Sequence, residues 1–102
     1  MRQFLFTLYV AGDSPRSHQA AANLRRLGEE RLGGDYELTI IDVVQDPERA
    51  ESERILTTPT LVKERPAPVR RVTGDLSDSG LVMLALALAP QTGIGEREGP
   101  GT

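Results

Sequence analysis

The feature that most constrains the fold is an uninterrupted apolar segment close to the N-terminus, Phe4–Val10. Its branched and aromatic residues predict a strand that is buried on both faces and therefore lies inside a sheet. Ser14 and Pro15, which follow Gly12, are typical of the first residues of a helix. Apolar residues then recur at helical spacing as far as about Leu32, which predicts a long helix with one buried side. That side consists of Ala20, Leu24, Leu27 and Leu32, with Ala21 and Gly28 beside them.

A second strand and a second helix follow. Residues 36–44 first alternate apolar and polar side chains and then become more apolar, so burial on both faces is expected near Val44. Asp46 and Pro47 predict another helix N-terminus. The helix expected over about Glu48–Arg54 is polar, so we expect the core to hold it only weakly.

Two short strands and a last helix complete the order. Thr60–Glu64 and Val69–Thr73 are joined by a proline-rich segment, which fits a hairpin at the edge of a sheet. A helix is then expected from a cap at Ser77 to about Ala89, because Pro90 stops it.

The length of 102 residues is typical of one domain. We expect that domain over residues 1–90, followed by a disordered tail over residues 91–102, which contain four glycines and a proline. Strand–helix–strand units form right-handed parallel crossovers, and a hairpin adds antiparallel strands. The order βαβαββα therefore predicts an α/β fold with a four-stranded mixed sheet covered by helices, which is the thioredoxin-like order.

The composition excludes several classes of function. A net charge of −3 and a pI of about 5.1 give no basic field for nucleic acid. The chain has no cysteine, so disulfides, thiolate metal sites and cysteine nucleophiles are excluded, and no metal or cofactor is expected. The single histidine, His18, is expected to be a solvated residue of the first helix. No apolar segment reaches the roughly 18 residues of a membrane span, and no signal peptide is expected, so we expect a cytoplasmic protein.

Two positions bear on redox chemistry in such a fold. Thioredoxin-like enzymes carry a reactive cysteine between the first strand and the first helix, where the helix dipole lowers the thiol pKa. Ser14 lies there instead, and its hydroxyl cannot exchange disulfides. The fold also has a proline at the start of its third strand. Pro59 occupies that position, so we expect a cis Thr58–Pro59 peptide, the alternative being an ordinary trans proline.

Basic residues concentrate on the predicted hairpin. Arg70 and Arg71 are adjacent, so they point to opposite faces of their strand, and Lys63 lies on the strand before it. A charged edge that prevents strand pairing is one interpretation. The other is a docking patch for an acidic partner surface.

Four segments resemble the KaiB family of bacterial clock proteins. They are LYVAG at residues 8–12, IDVVQDPERAE at 41–51, ILTTPTLVK at 55–63 and PVRRVTGDLSD at 68–78. The resemblance extends over about residues 4–88 without an evident gap. It reaches, more weakly, to the KaiB-like sensor domains of clock-output histidine kinases.

The resemblance implies a protein that switches folds. Members keep a βαβ N-terminal half, whereas the C-terminal half is either thioredoxin-like or βααβ, so the alternative fold is a βαββααβ ground state, usually tetrameric. Residues 84–88 alternate Leu and Ala, which suits a strand, although both residues also favour helices. Familiar members commonly carry Gly and Asp where this chain has Ala85 and Ala87. We expect both alanines to favour the helix and so to increase the thioredoxin-like population.

The resemblance also implies a partner. In the family, the thioredoxin-like monomer binds the N-terminal ATPase ring of the KaiC hexamer and is not an enzyme, while the ground state is a dimer or tetramer. Residues that match basic positions of the family are the candidates for contact with the partner: Arg54, Lys63, Arg70 and Arg71. Glu37 and Thr39 replace small and basic residues that the family uses against KaiA, so KaiA is a doubtful partner.

Two functional hypotheses remain open. The first is a non-enzymatic regulator of a circadian clock that binds KaiC. The alternative is a stress or signalling adaptor that binds KaiC or a histidine kinase outside a true clock. A third hypothesis, a thiol oxidoreductase, is contradicted by the absence of cysteine.

Overall fold

The computed structural model describes residues 2–88, which contain four strands and three helices. Along the chain these are β1 (Phe4–Val10), α1 (Pro15–Arg31), β2 (Tyr36–Asp42), α2 (Pro47–Ser52), β3 (Thr60–Arg65), β4 (Arg70–Thr73) and α3 (Ser79–Ala85). The predicted order βαβαββα is confirmed. The tail predicted over residues 91–102 lies outside the described residues.

The strands form one mixed sheet in the order β2-β1-β3-β4. β1 pairs parallel with β2 and antiparallel with β3, and β3 pairs antiparallel with β4. This is the predicted thioredoxin-like arrangement, and the βαββααβ alternative is not the conformation described. β1 is central, as its apolar sequence predicts, with Leu8 facing Ile40 on one side and Leu61 on the other.

The core lies between one face of the sheet and the helices α1 and α3. Five of the seven buried residues of α1 were predicted from helical spacing, and the other two are Ser17 and Asn23. The helix α3 adds Val82 and Met83. Gly28 lies inside α1, where glycine is otherwise unfavourable. A Cβ at this position would collide with the ring of Tyr36 on β2, so the helix needs glycine to approach the sheet. Among the described helices, none combines the length and the apolar character that crossing a membrane requires.

The second strand is an edge strand, and burial on both faces near its end was a wrong prediction. β2 ends at Asp42 rather than at Val44, which is 67% exposed. Within residues 2–88 no strand pairs with the outer edge of β2, and Ile40 is 45% exposed. The apolar residues after Ile40 therefore reach the surface instead of a second core.

The helix α2 is shorter than predicted, although its first residues are as expected. Asp46 caps it by accepting a hydrogen bond from the backbone N–H of Arg49 at 3.2 Å, and Pro47 is its first residue. It ends at Ser52, because Arg54 adopts a left-handed conformation with φ of 56°. None of its six residues is buried, which agrees with the weak anchoring predicted from its polar sequence.

The last helix differs from its prediction at both ends. Asp78, not Ser77, is the N-cap, and it accepts from the backbone N–H of Leu81 at 3.1 Å. The helix ends at Ala85 rather than near Ala89. Ala87 lies outside the helix with φ of 56°, so the expectation that alanine at this position favours the helix is wrong.

The helix α3 ends at Ala85 because the chain there forms a Schellman turn, in which two backbone hydrogen bonds close the helix end around a left-handed residue. The N–H of Leu88 donates to the carbonyl of Met83 at 2.8 Å, and the N–H of Ala87 donates to the carbonyl of Leu84 at 3.1 Å. The turn brings Leu86 and Leu88 into the core.

Candidate partner-binding surface

The position at which thioredoxin-like enzymes carry their reactive cysteine holds a helix cap here. Ser14 accepts a hydrogen bond from the backbone N–H of Ser17 at 3.1 Å, and its hydroxyl donates to the Ser17 hydroxyl at 2.8 Å. Asp13 and His18 form an exposed pair beside this cap. These hydroxyls therefore cap the N-terminus of α1, and no thiol is present at this position.

The proline expected at the start of the third strand is present in the predicted conformation. The Thr58–Pro59 peptide is cis, and Pro59 is buried. Two further cis peptides, Arg65–Pro66 and Ala67–Pro68, lie in the connection between β3 and β4.

The four basic candidates form two pairs on opposite faces of the hairpin. Lys63 and Arg70 are cross-strand neighbours, which places them on the same face. Arg71 pairs with Val62 instead and reaches Arg54 on the other face. The prediction that Arg70 and Arg71 point in opposite directions is confirmed.

Lys63 is not part of an exposed patch, contrary to the sequence-based expectation. Its side chain is 1% exposed, because β3 lies between β1 and β4 and Lys63 faces the same side of the sheet as Phe6. Burial lowers the pKa of its ammonium group, and the nearby charge of Arg70 lowers it further. In this conformation Lys63 belongs to the interior, and Arg70 is the exposed charge of the pair.

Arg71 is exposed, but its guanidinium group is bound within the chain. It donates to the backbone carbonyl of Glu53 at 2.9 Å and to that of Arg54 at 3.1 Å. Both carbonyls follow the last turn of α2, where the helix dipole favours a positive charge. Arg71 therefore connects β4 to the end of α2.

Arg54 lies beside an apolar cleft that the sequence analysis did not predict. The cleft, which we call the α2 cleft, is lined by Val43, Pro47, Ala50, Glu51, Arg54, Ile55 and Leu56. Leu56 is 94% exposed, and Val44, next to the cleft, is 67% exposed. Adjacent exposed apolar side chains of this kind mark interaction surfaces. The one indication of this cleft in the sequence is that two apolar residues, Val43 and Leu56, lie on either side of the polar helix α2.

A buried tyrosine side chain close to α2, that of Tyr9, is also unusual. Tyr9 of β1 is fully buried, and its hydroxyl makes no hydrogen bond of normal geometry. Burial raises the pKa of that hydroxyl, and the guanidinium of Arg49 on α2 partly offsets the increase. The contact of α2 with the sheet therefore includes a polar group that is not fully satisfied, in keeping with loose attachment of the helix.

Comparison with known proteins places this chain in a family. A family model described as the KaiB domain matches residues 7–88. Circadian clock protein KaiB3 from Synechocystis is 45% identical over 91 residues, which are 89% of this chain and 89% of that protein. This chain belongs to the KaiB family. Circadian clock oscillator protein KaiB from Microcystis aeruginosa is 44% identical over 97 residues, which cover 95% of this family member and 92% of that protein.

Solved structures agree with the architecture. The N-terminal domain of Synechococcus elongatus SasA superimposes on this KaiB family member with a TM-score of 0.63 and 26% identity, covering 87% of this chain and 88% of that domain. Chloroplastic thioredoxin z reaches a TM-score of 0.67 at 23% identity, over 82% of this chain and 76% of that one. At that identity the likeness to a thioredoxin is a likeness of fold alone.

Proposed function

We propose that this chain is a non-enzymatic circadian clock or clock-like regulator that binds the N-terminal ATPase ring of the KaiC hexamer as a thioredoxin-like monomer. The observation that carries the proposal is the match to the KaiB domain over residues 7–88, because the named relatives in this family are circadian clock proteins. The thioredoxin-like arrangement of residues 2–88 supports it, since the family resemblance implies that this arrangement is the one that binds KaiC.

The α2 cleft is the surface that we propose for this contact. It combines exposed apolar side chains with the cation of Arg54 at its rim. Interfaces of this kind commonly have an apolar centre and a polar rim. Arg70 is the second candidate cation, although it lies on the opposite face of the hairpin from Arg71.

The experiment is a binding measurement with a purified KaiC hexamer and ATP. We expect a complex in size-exclusion chromatography and in interferometry after prolonged incubation. If only a fraction of the chain is in the binding conformation, the apparent affinity falls with that fraction. Capture is then slow as well, because only that fraction can bind at any moment. No complex after prolonged incubation would contradict the proposal.

A matched pair of leucine variants tests the choice of surface. Leu56→Ser removes an exposed apolar side chain from the α2 cleft. Leu84→Ser removes one from α3, where Leu84 is 72% exposed. We expect Leu56→Ser to weaken binding by roughly 5- to 30-fold, the effect of losing an apolar anchor at an interface. Leu84→Ser should leave the affinity within about twofold of that of the unaltered chain. The reverse order of effects would move the interface to α3.

The adaptor that acts outside a true clock remains the second candidate. Glu37 and Thr39 are exposed on the edge strand β2, where the resemblance implies contact with KaiA. Their departure from the family favours a chain that binds KaiC without capturing KaiA. Adding KaiA to the KaiC complex should then give no ternary complex, and formation of one would favour the clock assembly.

A further inference from the structure

We propose that Arg71 is a positioning residue that holds the α2 cleft in its binding geometry and does not itself contact the partner. The inference rests on the proposed function and assigns one of the four basic candidates a different role. It starts from the two hydrogen bonds that Arg71 donates to the carbonyls of Glu53 and Arg54, at 2.9 and 3.1 Å.

The helix α2 needs an attachment of this kind. It has six residues, and none of them is buried. Isolated helices much shorter than about 12 residues are not stable in water, so a helix this short depends on contacts outside itself. Its N-terminus has the local cap of Asp46, whereas its C-terminus is joined to the sheet through Arg71.

The end of α2 also contains the conformation that most needs support. The N–H of Ile55 donates to the carbonyl of Ala50 at 2.9 Å, and the N–H of Arg54 donates to that of Glu51 at 3.1 Å, which together form a Schellman turn. The left-handed position of this turn is usually glycine, but here it is Arg54, with φ of 56°. Arg71 binds the carbonyls of the turn itself, and so stabilises a conformation that the residue type disfavours.

The connection reaches the candidate site directly. Arg54 and Ile55 line the α2 cleft and belong to the turn that Arg71 holds. Leu56, the most exposed residue of the cleft, follows the turn at once. A shift of this turn would move all three side chains, so the geometry of the cleft depends on Arg71 even though Arg71 does not line it.

The test combines amide exchange with binding to the KaiC ring. In Arg71→Met we expect the N–H groups of Arg54 and Ile55 to exchange about tenfold faster, because the local opening of the turn becomes easier. Amides of β1 and β3 should keep their rates. Binding should weaken several-fold. Arg71→Lys should give an exchange rate and an affinity between those of the unaltered chain and those of Arg71→Met, because lysine cannot form both hydrogen bonds in the planar geometry of arginine.

Two arginine variants serve as controls for the lost charge. Arg70→Met changes the neighbouring residue on the opposite face and should leave exchange at Arg54 and Ile55 unchanged. Arg25→Met, on the exposed side of α1, should change neither exchange nor binding. Weaker binding of Arg71→Met with unchanged exchange would mean that Arg71 touches the partner, and would overturn the inference.

Faster exchange with unchanged binding would overturn it as well, because the position of α2 would then not matter for the partner. Failure of the proposed function looks different. In that case the unaltered chain binds no KaiC ring, while the exchange rates alone still decide whether Arg71 holds the turn.

Discussion

The two halves of the chain are stabilised in different ways. In the N-terminal half, seven of the 17 residues of α1 are buried, and the central strand β1 is paired on both sides. In the C-terminal half, α2 buries none of its residues and α3 buries two. Most of the helix packing is therefore supplied by α1, whereas the last two helices depend more on their caps, turns and side-chain bonds.

The turns show the same contrast. In the N-terminal half, the residues with positive φ are glycines, Gly12, Gly33 and Gly34. In the C-terminal half, non-glycine residues adopt this conformation at Arg54, Leu76 and Ala87. Each costs about 1–2 kcal/mol relative to the right-handed region. Two of the three close Schellman turns, at the ends of α2 and α3.

This difference bears on the change of fold that the family resemblance implies. A second arrangement of one sequence can be populated when it differs by only a few kcal/mol from the first. Three left-handed residues in the C-terminal half together cost an amount of that order. The comparison therefore assigns the smaller stability margin to the half that the family resemblance implies can rearrange.

The largest effect is expected in the core of the N-terminal half. Leu24→Ala removes a fully buried side chain of α1 and should lower the free energy of unfolding by about 2–5 kcal/mol. Leu84→Ala on α3, where the side chain is 72% exposed, should change it by less than about 0.5 kcal/mol. Urea unfolding followed by circular dichroism measures both. Equal losses would show that the exposed side of α3 is covered in solution.

Two alanine variants give intermediate and opposite effects. Ala87→Gly relieves the left-handed turn and should stabilise the thioredoxin-like conformation by about 0.5–1 kcal/mol. Ala85→Gly, in the last turn of α3, should destabilise it by a similar amount of about 0.5–1 kcal/mol. The direct measurement is the population of the thioredoxin-like conformation by NMR. A loss of the thioredoxin-like form in Ala87→Gly would contradict the account of that turn.

The same contrast explains how far the sequence could predict the fold. β1 was predicted with its observed bounds, and α1 ends within one residue of the prediction. There, Ser14 is the N-cap and Pro15 the first helical residue, as the sequence indicates. The end of α3 was missed because alanine occupies a turn position that glycine would have marked. Such a turn is decided by the burial of Leu86 and Leu88, which no local pattern reports.

The candidate site was predictable in part. Alternation along β4 gave Arg70 and Arg71 opposite directions, which is correct. The burial of Lys63 could not be foreseen, because lysine is rarely buried. Its burial requires β3 to be an inner strand and Lys63 to lie on the same side of the sheet as the core residue Phe6. The bond of Arg71 to the end of α2 also joins elements far apart along the chain, so its role required the three-dimensional arrangement.

The smallest effect is expected from the pH dependence of stability, which compares a carboxylate from each half. The Asp42 carboxylate accepts from the backbone N–H of Gly12 at 3.0 Å and from that of Val44 at 2.9 Å. These hydrogen bonds lower the pKa of Asp42, and the bond from Gly12 has the largest effect. Asp75 accepts from the nearby Ser77 at 3.1 Å, and the Ser77 hydroxyl and N–H lower the pKa of Asp75.

In both cases the folded pKa lies below the unfolded value, which is about 3.9. The stabilisation is therefore fully present above that value and is lost as the pH falls through the folded pKa. Asp42→Asn and Asp75→Asn should each reduce the loss of stability on acidification, measured as urea midpoints between about pH 6 and pH 2.5. The Val44–Asp42 and Ser77–Asp75 hydrogen bonds each join residues two positions apart, whereas the Gly12–Asp42 bond joins residues 30 positions apart and therefore requires the fold. Asp42→Asn should flatten the pH dependence more, and a larger effect of Asp75→Asn would mean that the C-terminal half has the tighter structure.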